Sequence, residues 1–313
     1  MPKVSVIVPV YKVEPYIERC AESLFQQTLE DIEYIFIDDC SPDRSMTVLK
    51  SVIERYPERQ GQVMLYSMPK HSGLHRVRRF GLQKACGEFI LHCDSDDWTH
   101  PDMLMSMYNL AKKSDSDIVV CDYYKSRSGV NTLYRGINRG CSTLLSDILT
   151  RRAPAAVWNK LVKRSLYVDN DIEFPVGDMG EDCVIMIQLI SKAKRISYSA
   201  NPFYYYFYNP RSITTSSSKE YVLDRFNQAV SNAFVIERFL SKNGYGSLYI
   251  RELVYFKHLQ RNTLSPFIND KECFYLWRSV FPGINLRVLS LPYLTLKQKV
   301  KYFLTLTGFR RGL

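Results

Sequence analysis

Short apolar segments alternate with amphipathic segments from the start of the chain. The run VSVIVPV, which ends at Val10, is rich in β-branched residues and predicts a strand buried on both faces. Apolar residues then recur at helical spacing over Tyr11–Gln27, and the run EYIFI at Glu33–Ile37 predicts a second strand. A further helix is predicted for Ser45–Tyr56 and a third strand for Val63–Ser67. The pattern is therefore a repeated unit of strand and helix.

This alternation predicts an α/β fold with a mostly parallel sheet and helices on both of its faces. Right-handed crossovers place the carboxyl ends of parallel strands along one edge, and ligands bind in the crevice outside that edge. Three separated segments end there in the predicted fold, namely Val10 with Tyr11, Asp38 with Asp39, and the segment Asp94–Asp97. We therefore expect these segments to share one crevice.

The stretch GEFILHCDSDDW, Gly87–Trp98, is an apolar strand that ends abruptly in the carboxylates Asp94, Asp96 and Asp97. Carboxylates that are crowded at a strand end repel one another unless a cation or hydrogen bonds compensate them. Mg²⁺ and Mn²⁺ are often held by one or two carboxylates together with phosphate oxygens, so the cluster indicates a phosphate-bearing substrate. The alternative is an acidic turn in which Asp97 caps a helix that begins near Pro101. The convergence of three strand ends favours the functional interpretation.

The composition is that of a folded protein, since 313 residues with 46% hydrophobic content suffice for one large core or for a domain with a smaller appendage. The eight cysteines are scattered singly, without the spacing of a metal site, and we expect them to be reduced. The amino terminus enters a strand directly and shows no signal-peptide pattern, which predicts cytoplasmic synthesis. No run approaches the ~20 apolar residues of a spanning helix.

The net charge of +10 is concentrated near the carboxyl terminus. From about Tyr221 the pattern becomes helical, and a second helix is predicted for Ser247–Asn262. Nucleic acid and anionic lipid are both candidate partners for such a basic region. Interleaved apolar and basic residues indicate a segment that lies on an anionic membrane, and the alternative is a basic helical hairpin packed on the rest of the protein. No Asp or Glu follows Cys273, whereas seven cations do: Arg278, Arg287, Lys297, Lys299, Lys301, Arg310 and Arg311.

The opening VSVIVPVYKVEPYIERCAESLFQQTLEDIEYIFIDDCSPDRS and the later GEFILHCDSDDW resemble the family 2 glycosyltransferases. Two further segments, VWNKLVKRSLY at Val157–Tyr167 and GEDCVI at Gly180–Ile185, are similar to later motifs of that family. The resemblance covers residues 3 to 215 and implies a Rossmann-like fold of the A type (GT-A), with a mostly parallel central sheet flanked by helices. We expect residues 1–215 to form the catalytic domain and 216–313 a helical, basic carboxyl-terminal region.

The resemblance also implies how a nucleotide-diphospho-sugar would be held. Asp39 would accept the imide N–H of a uracil-type base, which adenine and cytosine lack, so a UDP-sugar is favoured and a deoxythymidine donor stays possible. Asp96 would contact a divalent metal, Mn²⁺ or Mg²⁺, and Asp94 would face the ribose and the waters of the metal. The ion would stabilise charge on the departing diphosphate. Val10 and Tyr11 would line the base pocket, and Ser95 would complete this part of the donor site.

Glu181 and Asp182 resemble the acidic pair that serves the acceptor in this family. Asp182 would take the proton of the acceptor hydroxyl as that hydroxyl attacks the anomeric carbon, which inverts the configuration. Glu181 would orient the acceptor, and the alternative is that both acids stabilise the amino terminus of a helix. Trp158 and Lys160 match an acceptor-side element, where Trp158 would stack on a sugar unless it packs in the core.

The sequence departs from the family pattern at Arg79, which stands where the family has asparagine. Arg78 matches the usual arginine, and its planar guanidinium suits contact with the diphosphate. A solvated helix face is the alternative for Arg76 and Arg79. The aromatic run FYYYFY is followed by a polar loop in which Arg211 would contact phosphate.

These features together predict an inverting, metal-dependent glycosyltransferase that acts on a saccharide or lipid-linked saccharide during cell-surface polysaccharide synthesis, at or near the inner face of the membrane. A sugar nucleotidyltransferase would show a Gly-rich loop after the first strand, and VPVYKV contains none. A glycoside hydrolase would need two acids but no nucleotide pocket. A non-catalytic binder of nucleotide sugars or anionic surfaces is a further alternative, whereas nucleic acid is not expected because a carboxylate-rich crevice repels phosphate backbones.

Overall fold

A computed structural model of the chain describes residues 1–138, 140, 143–209 and 218–308, and within them one sheet contains nine strands. The spatial order is β3, β2, β1, β4, β8, β6, β9 and β5, with β7 beside β6. Strands β3, β2, β1 and β4 pair in parallel in that spatial order, and β6 pairs in parallel with β9. The pairs that involve β5, β7 or β8 are antiparallel. The strands are β1 Val4–Val10, β2 Ile32–Asp38, β3 Val63–Ser67, β4 Phe89–His92, β5 Trp98–Thr99, β6 Ile118–Arg127, β7 Val130–Tyr134, β8 Lys160–Lys163 and β9 Ile196–Phe207.

Helices cover both faces of this sheet, which confirms the predicted α/β fold class. The first helix begins at Ile17 and not at Tyr11, because residues 11–16 form a loop in which Lys12 has a positive φ of 54°. The helices are α1 Ile17–Phe25, α2 Ser45–Arg55, α3 Leu74–Lys84, α4 Met103–Ser114, α5 Leu144–Leu149, α6 Arg164–Val168, α7 Glu181–Lys192, α8 Lys219–Lys242, α9 Ile250–Arg261, α10 Lys271–Ser279 and α11 Leu296–Leu306.

Strand β1 lies at the centre, and all seven of its residues are buried. Its alternate side chains enter two different apolar clusters, because successive residues of a strand point to opposite faces. Val6 and Val8 pack with residues of α1 and α4, whereas Ile7 belongs to the cluster on the other face. This second cluster continues without interruption into the carboxyl-terminal helices, where it includes Phe239 and Trp277.

The boundary predicted between residues 215 and 216 lies outside the described residues, and the division into two domains stays a prediction. The apolar cluster shared with α8–α10 joins the carboxyl-terminal helices to the sheet. Among the described residues, no helix has the length and apolar character that would let it cross a membrane.

Strand β4 carries the acidic cluster and needs a glycine where it enters the sheet. The backbone N–H of Gly87 donates to Ser5 Oγ over 2.8 Å, and the Ser5 hydroxyl in turn donates to the carboxylate of Glu33. A Cβ atom added to Gly87 would lie 2.6 Å from the backbone nitrogen of Ser5, which is shorter than any ordinary contact. The close approach of these two chains therefore fixes the position of β4 against β1.

We expect the substitution Gly87→Ala to lower the free energy of unfolding by about 1–3 kcal/mol, because the added methyl group meets backbone that cannot move away. Urea denaturation followed by circular dichroism measures the change. The matched control is Gly61→Ala, where an added Cβ meets nothing within 4 Å. Equal stability of the two variants would contradict the assigned role of Gly87.

Candidate active site at the strand ends

The carboxyl ends of β1, β2 and β4 open into one crevice of about 1190 Å³. This is the edge at which the sequence predicted a site, and six of the predicted donor-site residues meet there. The loop before α7 and the start of the long helix α8 form the opposite wall. The six residues are Val10, Tyr11, Asp39, Asp94, Ser95 and Asp96.

Asp39 is a buried carboxylate at one end of the crevice and is held by backbone. Its two oxygens accept the N–H groups of Ser72 at 2.7 Å and Gly73 at 3.0 Å. Gly73 has a φ of +88°, a conformation that side chains rarely allow. The neighbouring Asp38 instead accepts the N–H of Ser41 and shapes the turn after β2. Asp39 is thus oriented as an acceptor toward the crevice, whereas Asp38 has a local structural role.

His71 is a residue of this end that the sequence interpretation missed. Its imidazole stacks on the ring of Tyr11, with 4.1 Å between the centroids and 18° between the planes. Its Nδ1 also lies 2.8 Å from Oδ2 of Asp39. The available signal was position, because His71 follows β3, whose carboxyl end lies on the same edge as those of β1 and β2.

The three aspartates after β4 occupy different environments. Asp97 is fully buried, accepts the hydroxyl of Tyr204 at 2.8 Å and the N–H of Phe207 at 2.7 Å, and has a pKa that burial raises well above its usual range. Asp97 does not cap the following helix, since Asp102 holds the position before α4. Asp96 lines the crevice and accepts the side-chain amide of Asn209 at 2.9 Å. Asp97 therefore fixes the loop against β9, and Asp96 faces the crevice.

Asp94 is paired with the guanidinium of Arg78, a side chain that is 6% exposed. Arg78 donates to Asp94 over 2.5 Å, to Asp182 over 2.8 Å and to Glu181. Burial raises the pKa of Asp94 to about 6; Arg78 acts against this shift, and the charges of Asp96 and Asp182 add to it. One cation thus holds together three carboxylates from two distant segments of the chain.

This arrangement gives Arg78 and Glu181 partners that the sequence did not predict, and their roles toward a donor and an acceptor stay predictions. Arg78 was expected to reach the diphosphate of a donor, but both of its terminal nitrogens are engaged by carboxylates. Glu181 was expected to orient an acceptor, but it is 4% exposed and is a charge partner of Arg78. The physical reason is the same for both, because a buried carboxylate is costly without a compensating charge. Asp182 keeps partial exposure beside Asp94, as a group that meets a substrate requires.

The two remaining acceptor-side residues pack beneath the crevice and do not line it. Trp158 is 6% exposed and stacks on Tyr204 at 4.5 Å, which is the core role left open by the sequence. Lys160 is buried and donates to the carbonyls of Pro154 and Ala156 and to Asn159, and burial lowers its pKa to about 8. Both precede or begin β8, which lies between β4 and β6, so their side chains are covered.

Asp178 is a further crevice residue that the motif comparison missed. It accepts a hydrogen bond from the imidazole of His75, with 2.6 Å between Nδ1 and Oδ1. Burial acts to raise the pKa of Asp178, but the hydrogen bonds from His75 outweigh burial and lower that pKa.

Arg79 is exposed on α3, with its guanidinium 4.7 Å from the ring of Phe174. The predicted phosphate contact of Arg211 lies outside the described residues.

The carboxylates at the end of β4 suit a hard divalent cation. Asp94 and Asp96 offer oxygen ligands in the crevice, and burial raises the pKa of both, so a cation would relieve the cost of their negative charge. Within the part of the chain that the structure describes, no group of three or more His, Cys, Asp or Glu side chains is arranged to hold a metal. The fit is therefore to an ion that takes its remaining ligands from phosphate and water.

The chain is similar to known glycosyltransferases. A family model described as "Glycosyl transferase family 2" matches residues 5–172. The "Uncharacterized glycosyltransferase EpsJ" of Bacillus subtilis is 32% identical over 228 residues, which cover 68% of this chain and 63% of that protein. A "Poly(ribitol-phosphate) beta-glucosyltransferase" of Bacillus spizizenii is 33% identical over 209 residues, 65% of this chain and 32% of that protein. The matched regions thus span less than two thirds of both relatives.

Two solved structures share the fold. The first is residues 1–349 of TarS from Staphylococcus aureus in complex with UDP-GlcNAc, with a TM-score of 0.62 and 20% identity over 98% of this chain and 91% of that chain. The second is the mannosyltransferase PcManGT from Pyrobaculum calidifontis in complex with GDP-Man and Mn²⁺, with a TM-score of 0.55 and 17% identity over 98% of this chain and 86% of that chain.

We expect Arg78→Met to lower the free energy of unfolding by about 3–5 kcal/mol, because the substitution leaves three close carboxylates without their cation. Chemical denaturation measures the loss. The adjacent Arg79→Met is the matched control and should change stability by no more than about 1 kcal/mol, since Arg79 is exposed and loses only its contact with the ring of Phe174. If both variants were equally stable, the guanidinium of Arg78 would not be the charge that holds this site together.

Proposed function

Because the chain belongs to glycosyl transferase family 2 and is a glycosyltransferase, we propose that it transfers a sugar, with inversion, from a UDP-sugar to a hydroxyl group. The observation that carries this proposal is the crevice in which an acceptor carboxylate, Asp39, lies at one end and the aspartates of β4 lie at the other. Arg78 links Asp94 to Asp182, so the donor side and a candidate general base meet at one guanidinium.

The base of the donor is proposed to bind between Tyr11 and Asp39. A carboxylate accepts hydrogen bonds but donates none, so Asp39 suits the imide N–H of uracil. The ring of Tyr11 offers a face for stacking, which is the contact that His71 makes in this structure. The related TarS structure contains UDP-GlcNAc, which supports a uridine donor, while the PcManGT structure contains GDP-Man.

The diphosphate is proposed to lie over Asp94 and Asp96. A divalent ion held by Asp96 beside Asp94 would act there as a Lewis acid that stabilises charge on the departing diphosphate. Asn209 orients Asp96 by donating a hydrogen bond to it, and Asp97 fixes the loop by accepting the backbone N–H of Phe207 in β9. The protein itself thus supplies rigid oxygen ligands at the end of β4.

The transfer is proposed to be a single displacement. The acceptor hydroxyl oxygen forms a bond to the anomeric carbon while the bond from that carbon to the β-phosphate oxygen breaks. The hydroxyl proton passes to a carboxylate oxygen of Asp182, and UDP leaves with the electron pair. Arg78 positions Asp182 for this step and is shared with Glu181, which places the proton acceptor next to the leaving-group side.

The acceptor is proposed to be a saccharide or a lipid-linked saccharide used in cell-surface polymer synthesis on the cytoplasmic side of the membrane. Two relatives with assigned activities support a hydroxyl-bearing polymer as the kind of acceptor, since they are named as poly(ribitol-phosphate) glucosyl- and N-acetylglucosaminyltransferases. Family membership also favours sugar transfer over the nucleotidyl transfer that the sequence left as an alternative.

We expect UDP with Mn²⁺ to raise the melting temperature by about 5 °C at a nucleotide concentration of about 100 Kd, because ligand binding stabilises the folded state. A thermal-shift panel of UDP, GDP and ADP, each with and without Mn²⁺ or Mg²⁺, measures the effect. Asp96→Ala should remove the metal-dependent part of the shift. Glu54→Ala, an exposed acid on α2, is the control and should keep it. Equal stabilisation by all three nucleotides would argue against a uridine site.

We expect Asp182→Asn to keep donor binding but to reduce sugar transfer by about 10²- to 10⁴-fold, because the amide cannot take the hydroxyl proton. The measurement is the acceptor-dependent release of UDP from the UDP-sugar that stabilises the protein most. Binding of the same donor is followed by thermal shift. Transfer at an unchanged rate would remove Asp182 from the role of general base.

A further inference from the structure

Helix α11, near the carboxyl terminus, has a buried face and an apolar exposed face. Tyr302 and Thr305 point into the protein and are 4% and 9% exposed. Leu296, Val300 and Phe303 are 78%, 50% and 48% exposed. These three residues are spaced i, i+4 and i+7, so they lie in one stripe along the helix, on the side opposite Thr305. A surface helix ordinarily turns polar residues to solvent, and among the described residues, which end at 308, no side chain covers this stripe.

The exposure of the stripe does not come from loose packing of α11. The hydroxyl of Tyr302 accepts a hydrogen bond from the buried Arg261 and donates to the carbonyl of Asn285 over 3.1 Å. The guanidinium of Arg261 lies 4.3 Å from the ring of Trp277, which fixes it between α10 and α11. A capping box, formed by Thr295 with Gln298, begins the helix. The apolar stripe is therefore presented on a firmly anchored helix.

Two lysines of the same helix flank the stripe. Lys297 comes directly after Leu296, and Lys299 comes directly before Val300. At 100° per residue, these two lysines fall on opposite sides of the stripe. No acidic residue follows Glu272 in the sequence. Among the neighbouring segments, Arg278 and Arg287 are also exposed cations. An apolar stripe flanked by lysines, in a stretch of sequence without Asp or Glu, matches the chemistry of an anionic lipid surface.

We propose that the outer face of α11, formed by Leu296, Val300, Phe303, Lys297 and Lys299, docks on an anionic lipid bilayer. The helix lies in the plane of the membrane surface, the three apolar side chains enter the boundary between headgroups and acyl chains, and the lysines contact lipid phosphates. A second copy of the chain fits this face less well, because a two-fold contact would bring the lysines of both copies together. The inference is independent of the donor chemistry proposed above.

The test is co-sedimentation of the full-length protein with vesicles of phosphatidylcholine alone or mixed with phosphatidylglycerol. The wild type should bind the phosphatidylglycerol vesicles and should bind them less at high salt, since salt screens the lysines. The triple variant Leu296→Gln, Val300→Gln and Phe303→Gln should bind about tenfold more weakly or less. The double variant Lys297→Gln and Lys299→Gln should bind several-fold more weakly and lose most of its salt dependence.

The matched control is Val130→Gln with Leu133→Gln, two exposed apolar residues on β7, which should bind like the wild type. Circular dichroism and the melting temperature report whether each variant is folded, and all substituted side chains are exposed or half-buried. Failure of the wild type to sediment with phosphatidylglycerol vesicles would overturn the proposal, as would unchanged binding of the triple variant. A concentration-dependent dimer that the triple variant abolishes, without vesicle binding, would assign this face to self-association instead.

Discussion

The buried guanidinium of Arg78 is the charge on which the site depends. It extends from α3 and is shared by Asp94, at the end of β4, and by Glu181 and Asp182, at the start of α7. Each of these carboxylates would be costly to bury alone, and together they would repel one another. The same interaction therefore joins α3, the end of β4 and the start of α7, and it positions the groups proposed to act in the transfer. An arginine suits this role because it stays charged when buried and presents several donors in one plane.

The crevice could be predicted from the sequence because it follows from strand order. Val10, Asp39 and Asp94 each come directly after an apolar run, and parallel strands must bring such positions to one edge. The partners of Arg78 could not be predicted in the same way, since two of them lie more than a hundred residues away. A motif shows that residue types recur at a spacing, but it does not show which of them face solvent.

Trp158 and Lys160 illustrate this limit of spacing. Their motif lies where β8 enters the sheet between two other strands, and that placement depends on antiparallel pairing that the strand and helix alternation does not reveal. Asp97 shows the opposite case, in which neighbours along the chain differ in role. Asp97 accepts hydrogen bonds from Tyr204 and Phe207 of β9 and is buried, while Asp96, one residue earlier, faces the crevice. Burial, and not residue type, separates the carboxylate that holds the loop from the one that lines the crevice.

The stacking of His71 on Tyr11 changes how the resting crevice should be described. An imidazole that lies 4.1 Å from the tyrosine ring and 2.8 Å from Asp39 makes the two contacts proposed for a nucleobase. A third ring cannot enter such a stack, because each layer needs about 3.5 Å. A base that stacks on this face of Tyr11 would therefore enter by exchange with the protein's own side chain. The net affinity of the base would be the free energy of its own contacts minus that of the His71 contacts that it replaces. A base that stacks well on Tyr11 but has no N–H to donate to Asp39 would therefore bind weakly.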